Sequence, residues 1–398
     1  MKSKNTVIAV IVTALVTCLA TSTVKDVIDA NANNGLGKKL KTVTDIVEKY
    51  SIYDIDEKKM ADNASAAIVY SLGDRYTNYY SKEDYDSLMG ELHTSYMGIG
   101  IVISVDTDTN KLVVVSTVEG QAAEKCGVLP GDYIIAADGV KYDGDEMNEA
   151  VAAMKGTAIE NPEGTSVVLT IERNGESMDI TVPRGIVKRE SVSSKLLGDG
   201  IGYIRINQFQ AKDNNVADSK DTYDEFSEHM TDLQNNNITS LIIDLRNNPG
   251  GDLDIVTKIA DYLLPEGVIT YTEDKNGKKE YFNSDAKSVD LPMVVLVNGG
   301  SASASEVLSG ALKDHKKATL VGEKTFGKGV VQTVFPLYDG SGLTVTSARY
   351  YTPSGNCIHE KGIEPDVAVS MDTQKSISQL EAEEDVQLQK AIEVLKSK

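Results

Sequence analysis

The segment from Met293 to Gln332 carries the residue types that could do chemistry. It reads MVVLVNGGSASASEVLSGALKDHKKATLVGEKTFGKGVVQ, in which an apolar strand candidate runs through a glycine-rich turn into a helix candidate. Such a turn presents a serine at a helix N-terminus, where free backbone N–H groups and the helix dipole favour a developing oxyanion. Ser301, Ser303 and Ser305 all fit this position, although serine at a helix start is also a common N-cap. The pattern predicts a nucleophilic serine without choosing among the three.

A serine nucleophile needs a base, and the same segment offers two. Lys328 lies in Thr325–Gly329, an apolar, glycine-flanked setting with no adjacent acid. Such a setting can desolvate the ammonium group and lower the lysine pKa toward neutrality, so that the amine accepts the serine proton. His315 beside Asp314 offers a Ser-His-Asp alternative, but this pair lies at the end of a Lys-rich helix, which is more typical of solvent-exposed residues. The sequence therefore favours Lys328.

The sequence argues against four function classes: a phosphate loop, a nucleic-acid partner, a disulfide scaffold and a Cys-ligated zinc site. Gly322 to Lys328 fits the phosphate-loop pattern GxxxxGK, but Gly329 stands where a Ser or Thr must bind magnesium, and a strand-like run follows in place of a helix. The charge balance argues against a nucleic-acid partner, because 60 acidic residues against 40 basic ones give a net charge of −20. Three cysteines argue against a disulfide scaffold and a Cys-ligated zinc site. We expect neither a cofactor nor a metal.

Two turns between Tyr96 and Asp132 resemble those of PDZ domains. Tyr96–Ile101 (YMGIGI) resembles the carboxylate-binding loop of that family, and Gly127–Asp132 (GVLPGD) resembles its turn before a strand. Glycines in such a loop let consecutive backbone N–H groups converge on a carboxylate, while an extended peptide adds as a strand beside them. The resemblance implies that a peptide C-terminus binds at Met97, Gly98, Ile99, Gly100 and Ile101.

Five further segments closely resemble the carboxyl-terminal processing peptidases, the tail-specific serine proteases of peptidase family S41 with a Ser-Lys centre. They are Leu245–Gly251, Ser301–Glu306, Gly322–Gln332, Ala348–Gly355 and Gly362–Asp366. The likeness runs from Leu40 to Val369. It implies an α/β core of the crotonase or ClpP type that cleaves peptide bonds.

The resemblance also assigns roles to individual residues. It makes Ser303 the nucleophile, Lys328 the general base and later the general acid, and Gln332 the residue that orients the lysine amine. The oxyanion hole would comprise the backbone N–H of Ala304 and one from Gly250 or Gly251. Asp314 matches an acidic position with a supportive role, and Ser301 and Ser305 are expected to make loop and cap hydrogen bonds.

These residues must be positioned by an α/β multidomain chain. The predicted domains are an N-terminal segment over residues 1–25, a helical arm over 36–95, a PDZ domain over 96–185, a protease core over 186–371 and a C-terminal helix over 376–398. Apolar residues at helical spacing predict two amphipathic helices, in Leu36–Tyr50 and Met60–Leu72. Continuous apolar runs predict buried strands at Ser240–Leu245 and Met293–Val297, and an apolar run predicts a strand at Ile99–Val105. The arm and the C-terminal helix would bury their apolar faces by packing on the body or by forming a homodimer.

The first residues differ from the rest of the chain. Val7 to Val24 (VIAVIVTALVTCLATSTV) carries no charge and is long enough to span a hydrocarbon core. It predicts a single-pass membrane anchor, with a cleaved signal peptide as the alternative. Lys2 and Lys4 would stay inside the cell, and the catalytic part would be extracytoplasmic or, after cleavage, secreted.

The expected function is therefore a serine endopeptidase that recognises free C-terminal tails of exported polypeptides through its PDZ domain. Two alternatives from other classes remain at this stage. One is a catalytically inert PDZ scaffold, against which the intact Ser303, Lys328 and Gln332 argue. The other is a crotonase-like acyl hydrolase, for which an exported site is a poor setting.

Overall fold

The computed structural model describes residues 35–92, 94–118, 120–156, 159, 162–213, 216, 219–371, 380 and 383–397. The chain divides into two compact units, with the boundary between Ser71 and Leu72. The predicted anchor or signal segment, residues 1–25, lies outside the described residues. Across the residues described, no helix combines the length and the apolar character needed to span a membrane.

The first unit contains two helices, α1 (Gly35–Tyr50) and α2 (Glu57–Tyr70). They confirm the two amphipathic helices predicted from the sequence. Asp56 caps α2, its carboxylate accepting a hydrogen bond from the backbone N of Lys59 at 3.0 Å. No residue of either helix is buried, and large apolar side chains such as Tyr70 are exposed.

The second unit begins with β1 (Asn78–Tyr80) and α3 (Lys82–Glu91) and continues into a PDZ-like part. The elements of that part are β2 (Ser95–Gly98), β3 (Ile101–Asp106), β4 (Lys111–Thr117), α4 (Ala122–Lys125), β5 (Tyr133–Ala137), β6 (Val140–Lys141), α5 (Met147–Lys155), β7 (Ser166–Arg173), β8 (Glu176–Pro183) and β9 (Gly185–Lys188). An antiparallel sheet has the order β3-β4-β5-β7-β8, with β6 on β5, while β2 and β9 form a separate two-stranded ribbon. The predicted strand Ile99–Val105 is wrong at its start, because Gly100 adopts φ +81° and the strand begins at Ile101.

An α/β core follows. Its elements are β10 (Val192–Leu196), β11 (Ile201–Ile206), α6 (Thr222–Asn235), β12 (Ser240–Asp244), α7 (Leu253–Leu263), β13 (Gly267–Asp274), β14 (Lys279–Ser284), β15 (Met293–Val297), α8 (Ala304–Asp314), β16 (Ala318–Gly322), β17 (Val330–Pro336), β18 (Gly342–Tyr351), β19 (Val367–Ala368) and α9 (Val386–Lys396). The main sheet has the order β10-β11-β12-β15-β16-β19, and all pairs are parallel except β10 with β11. Every residue of β12 and β15 is buried, as expected for strands covered on both faces.

Helices cover both faces of this sheet. Apolar residues of α6, α7 and α8 pack in one cluster with the strands. On the other face, Leu388, Ala391 and Leu395 of α9 pack against a second set of strand residues. Residues 376–379, 381 and 382 of the predicted C-terminal helix lie outside the described residues, and the described helix α9 begins at Val386. Asp385 sets this start, since its carboxylate accepts from the backbone N of Leu388 at 3.0 Å.

A buried ion-pair network ties α9 to the end of β12. The Arg246 guanidinium donates to the Asp244 carboxylate at 2.6 Å and to the Asp385 carboxylate at 2.7 and 2.8 Å. Burial alone would raise the pKa of Asp385, but the hydrogen bonds and charge of Arg246 outweigh it and lower that pKa. The network fixes the start of the loop that follows β12.

A second sheet, with the order β1-β18-β13-β14 and β17 on β18, was not predicted as a sheet from the sequence. In this sheet β1 pairs with β18 through Asn78 and Thr344, and β17 pairs with β18 on its other side. The pairing brings the Tyr76 carbonyl within hydrogen-bond distance of Gln332 in β17, although 256 positions separate the two residues in the chain. Gln332 is one of the predicted site residues, so this contact fixes part of the candidate site.

Candidate active site

Two loops meet where the parallel strands β12 and β15 end. Because neighbouring parallel strands end at the same sheet edge, the loop after β12 (residues 245–252) lies beside the loop after β15 (residues 298–303). Asn247 and Asn298 join them by two hydrogen bonds, of 2.9 and 2.8 Å. Ser301 adds a third, its Oγ donating to the Leu245 carbonyl at 2.8 Å. The glycine-rich turn and the serine-rich turn therefore form one structure.

The structure separates the three candidate serines. Ser301 and Ser305 are fully buried and donate to the carbonyls of Leu245 and Asn248, as expected of residues with a loop or cap role. Ser303 is the N-cap of α8 and adopts φ +55° and ψ −115°, a conformation that is costly for a residue with a Cβ. Such strain recurs where a turn exposes a nucleophile between a strand and a helix. Ser303 alone of the three lines the large cavity described next.

A cavity of about 750 Å³ brings most of the predicted site together. Its lining includes Gly250, Gly251, Ser303, Lys328 and Gln332. Within the described part of the chain, no group of three or more His, Cys, Asp or Glu residues could hold a metal ion.

Asp314 is not among the cavity residues. Its carboxylate accepts from the backbone N and the Oγ of Ser354, at 2.9 and 2.7 Å. It therefore holds the turn after β18 and does not itself line the cavity.

The Lys328 amine lies in a partly dehydrated, uncharged environment. Its Nζ donates to Gln332 Oε1 at 2.5 Å and lies 5.2 Å from the centroid of the Tyr76 ring. No carboxylate of the described residues pairs with this amine. Burial lowers the pKa of Lys328, because the charged form loses hydration that nothing replaces with an opposite charge.

Tyr76 is a residue that the sequence did not reveal. Its backbone carbonyl accepts a hydrogen bond from Gln332 Nε2 at 2.6 Å. Because the Gln332 amide nitrogen is engaged there, its oxygen must face Lys328. The contact spans 256 positions in the sequence, and no local pattern signals it.

Two backbone N–H groups have no acceptor among the described residues: that of Gly251, which lines the cavity, and that of Ala304, which follows Ser303 and is not part of the lining. By contrast, the N–H of Gly250 donates to Asn248 Oδ1 at 2.8 Å. A Cβ on Gly250 would lie 2.8 Å from Ser303 Cβ and 2.9 Å from Ala304 N, and φ is +103° there. Only glycine therefore allows the turn to approach the serine this closely.

Glu306 connects the serine loop to the lysine loop. Its Oε2 accepts from the backbone N of Ser303 at 3.0 Å and of Lys328 at 2.8 Å, and its Oε1 accepts from Thr325 Oγ1 at 2.6 Å and Gly327 N at 2.8 Å. Burial raises the pKa of Glu306, and these four hydrogen bonds partly offset the effect. The sequence carried a signal for this residue in Ser303-x-x-Glu306, the spacing of a capping box.

The PDZ-like part has a narrow groove between β3 and α5. Gly98, Ile99, Gly100 and Ile101 line a cavity of about 50 Å³ there, together with α5, while Met97 is not part of the lining. Among the described residues, the N–H groups of Ile99 and Gly100 have no acceptor. Two consecutive free donors are the arrangement that a carboxylate requires.

Comparisons with known proteins agree with this architecture. Residues 200–369 match the model of peptidase family S41, and residues 113–173 match a PDZ domain model. The carboxyl-terminal-processing protease of Synechocystis is 36% identical over 355 residues, covering 87% of this chain and 80% of the relative. The carboxy-terminal-processing protease of Bartonella bacilliformis is also 36% identical over 355 residues, covering 86% and 77%. A solved photosystem II D1 C-terminal processing protease is 28% identical with a TM-score of 0.50, covering 85% of this chain and 88% of that one.

The chain is thus a peptidase of α/β architecture with a PDZ domain before its protease domain, which confirms the predicted fold class. It belongs to peptidase family S41, among the carboxyl-terminal processing proteases.

The Glu306 bridge predicts the effect of a single amide substitution. In Glu306→Gln an NH₂ group replaces one of the two carboxylate oxygens. Each oxygen accepts two hydrogen bonds, and an NH₂ group cannot accept them, so two donors lose their acceptor. We expect the free energy of unfolding to fall by about 2–4 kcal/mol, since buried donors are left unpaired. Chemical denaturation measures this change. The matched control is Glu364→Gln, which removes an exposed ion pair with Lys324 and should cost less than about 1 kcal/mol. Equal stability of the two variants would contradict the bridging role.

Proposed function

We propose that this chain is a serine endopeptidase that cleaves the C-terminal tails of exported polypeptides by a Ser-Lys mechanism. One observation carries the proposal: Ser303 and Lys328 line the same cavity, and the lysine amine is partly buried and bonded to a neutral amide. A carboxylate partner would hold the amine in its charged form. An amide partner orients it and leaves it able to accept a proton.

In the proposed reaction, neutral Lys328 removes the proton of Ser303 Oγ as that oxygen attacks the scissile carbonyl carbon. The carbonyl oxygen becomes an oxyanion, which the N–H groups of Ala304 and Gly251 stabilise. Lys328 then gives its proton to the leaving amine, and the C–N bond breaks. Water, activated by the same lysine, hydrolyses the acyl-enzyme ester.

The choice of Gly251 for the oxyanion hole follows from the hydrogen bonds. The sequence left Gly250 and Gly251 as alternatives. The N–H of Gly250 is already donated to Asn248, so Gly251 is the available donor, and Gly250 acts by permitting the close approach of the two turns. Asp314 supports the site indirectly by fixing the turn at Ser354.

The PDZ groove is proposed to capture the free C-terminus of the substrate. The N–H groups of Ile99 and Gly100 would bind the terminal carboxylate, and the peptide would add as a strand along β3. The N-terminal segment would export the chain and hold its catalytic part at the outer face of the membrane. The exposed apolar side chains of α1 and α2 would be covered in a homodimer.

Replacement of the nucleophile tests the proposal. Ser303→Ala should lower kcat by at least about 10³-fold on a peptide with a free apolar tail, because no other group can form the acyl ester. Mass spectrometry of the cleavage products measures this. Ser347→Ala, an exposed serine on β18, is the control and should keep full activity. Cleavage that persists in purified Ser303→Ala would refute the Ser-Lys assignment.

The base makes a separate prediction about pH. Because burial lowers the pKa of Lys328, kcat/KM should rise with pH as the amine loses its proton, and level off once it is neutral. Lys328→Arg should be inactive, since a guanidinium stays charged and cannot act as a base. Lys324→Ala, which removes an exposed lysine four positions away, should keep the wild-type profile. A flat profile between about pH 6 and 9 would exclude this base.

A further inference from the structure

Arg75 lies at the mouth of the catalytic cavity. It is exposed and lines the same cavity as Ser303 and Lys328. Its Cζ is 4.6 Å from the centroid of the Tyr76 ring and 5.7 Å from that of Phe326, and it donates to the Tyr76 hydroxyl. Stacking on aromatic rings holds a guanidinium in place and keeps its remaining donors directed outward. The side chain is therefore positioned before any ligand arrives.

No carboxylate of the described residues comes within 4 Å of the Arg75 guanidinium, and the Tyr76 hydroxyl is its one hydrogen-bond partner there. Three other arginines with fixed positions differ in this respect, whereas Arg189, which stacks on Tyr96, resembles Arg75 but lies outside the lining of the catalytic cavity. Arg173, Arg184 and Arg246 each pair with an aspartate. In a chain with a net charge of −20, an arginine held beside the reaction centre without an acid is available for an anionic ligand.

The charges on the rest of the cavity wall restrict where such a ligand can bind. Asp252 and Asp254, at the N-terminal end of α7, line the same cavity. Their carboxylates repel an anionic group, while Arg75 attracts one. An anionic part of a bound peptide is therefore directed toward the side of the cavity that Arg75 and Tyr76 line.

We propose that Arg75 binds a carboxylate of the peptide substrate close to the scissile bond. This inference rests on the proposed peptidase function and adds a specificity that does not involve the PDZ groove. Arg75 Cζ lies 4.6 Å and Lys328 Nζ lies 5.2 Å from the centroid of the Tyr76 ring. The two groups are therefore at most about 10 Å apart. An extended peptide rises about 3.3 Å per residue, which places the carboxylate within about three residues of the cleaved bond.

Two sources can supply this carboxylate. One is an Asp or Glu side chain near the cleavage site. The other is the terminal α-carboxylate of a substrate that loses a tail of no more than about three residues. Both offer two oxygens to the planar donor face of a guanidinium, so the recognition chemistry is the same.

A peptide series tests the proposal on the wild-type chain. A C-amidated apolar peptide is cleaved, its scissile bond is located by mass spectrometry, and Gln or Glu is placed at each position within three residues of that bond. A second arm compares free-acid and amide forms of peptides that end within the same distance. We expect a KM about tenfold lower for the acidic member of at least one pair, the size of one charge-assisted hydrogen bond. The arm that responds identifies the source of the carboxylate.

Variants assign the preference to Arg75. In Arg75→Gln the acidic and neutral peptides should have the same KM. Arg75→Lys should keep part of the preference, because it retains the charge without the planar donor face. Arg349→Gln removes an exposed arginine of β18 outside the cavity lining and should keep the full preference. Fluorescence anisotropy of the same peptides on Ser303→Ala and on Ser303→Ala with Arg75→Gln measures binding without turnover.

The outcomes separate this inference from the proposed function. Equal KM and equal binding across all acidic and neutral pairs would overturn the role of Arg75, and so would a preference that survives in Arg75→Gln. Either result leaves Ser303-dependent cleavage of neutral peptides intact. Cleavage that persists in Ser303→Ala overturns the peptidase mechanism instead, whatever the charge preference.

Discussion

The buried carboxylate of Glu306 is the interaction on which the geometry of the site depends. The serine and the lysine come from loops 25 positions apart, and one side chain accepts hydrogen bonds from the backbone of both. Burial raises the pKa of Glu306, and the four donors that converge on its carboxylate partly offset that effect. Movement of either loop would leave a buried acceptor unsatisfied. The bridge thereby couples the position of the nucleophile to the position of the base.

The lysine amine depends on a second set of constraints. Its partner Gln332 is oriented by the Tyr76 carbonyl, which reaches the site only because β1 joins the sheet of β17 and β18. The same segment carries Arg75, so one short stretch of chain both orients the amide beside the base and supplies the cation at the cavity mouth. Long-range strand pairing therefore contributes as much to the site as the local motif does.

Local patterns in the sequence predicted the centre of the site and its two supporting strands. The strand, turn and helix around Ser303 are contiguous, and fully apolar runs identify β12 and β15 as buried parallel strands. Tyr76, Arg75 and the ion pair between Arg246 and Asp385 could not be predicted, because each depends on contacts between distant segments. The second sheet could not be predicted, since its strands are half exposed and carry mixed patterns. The spacing Ser303-x-x-Glu306 indicated a capping box. Helix stability alone accounts for that motif, so the spacing did not predict that Glu306 joins the serine loop to the lysine loop.

The central claim is that Lys328 activates Ser303, and an active-site phosphonylating reagent measures this most directly. A fluorophosphonate loses fluoride when a serine oxygen attacks phosphorus, and intact-mass and peptide-mass spectrometry locate the adduct. The account predicts one adduct, at Ser303, in the wild-type chain, and greatly slowed labelling in Lys328→Ala at the same pH. Labelling of Ser303 at an unchanged rate in Lys328→Ala, or an adduct at another residue whose loss abolishes peptide cleavage, would contradict it.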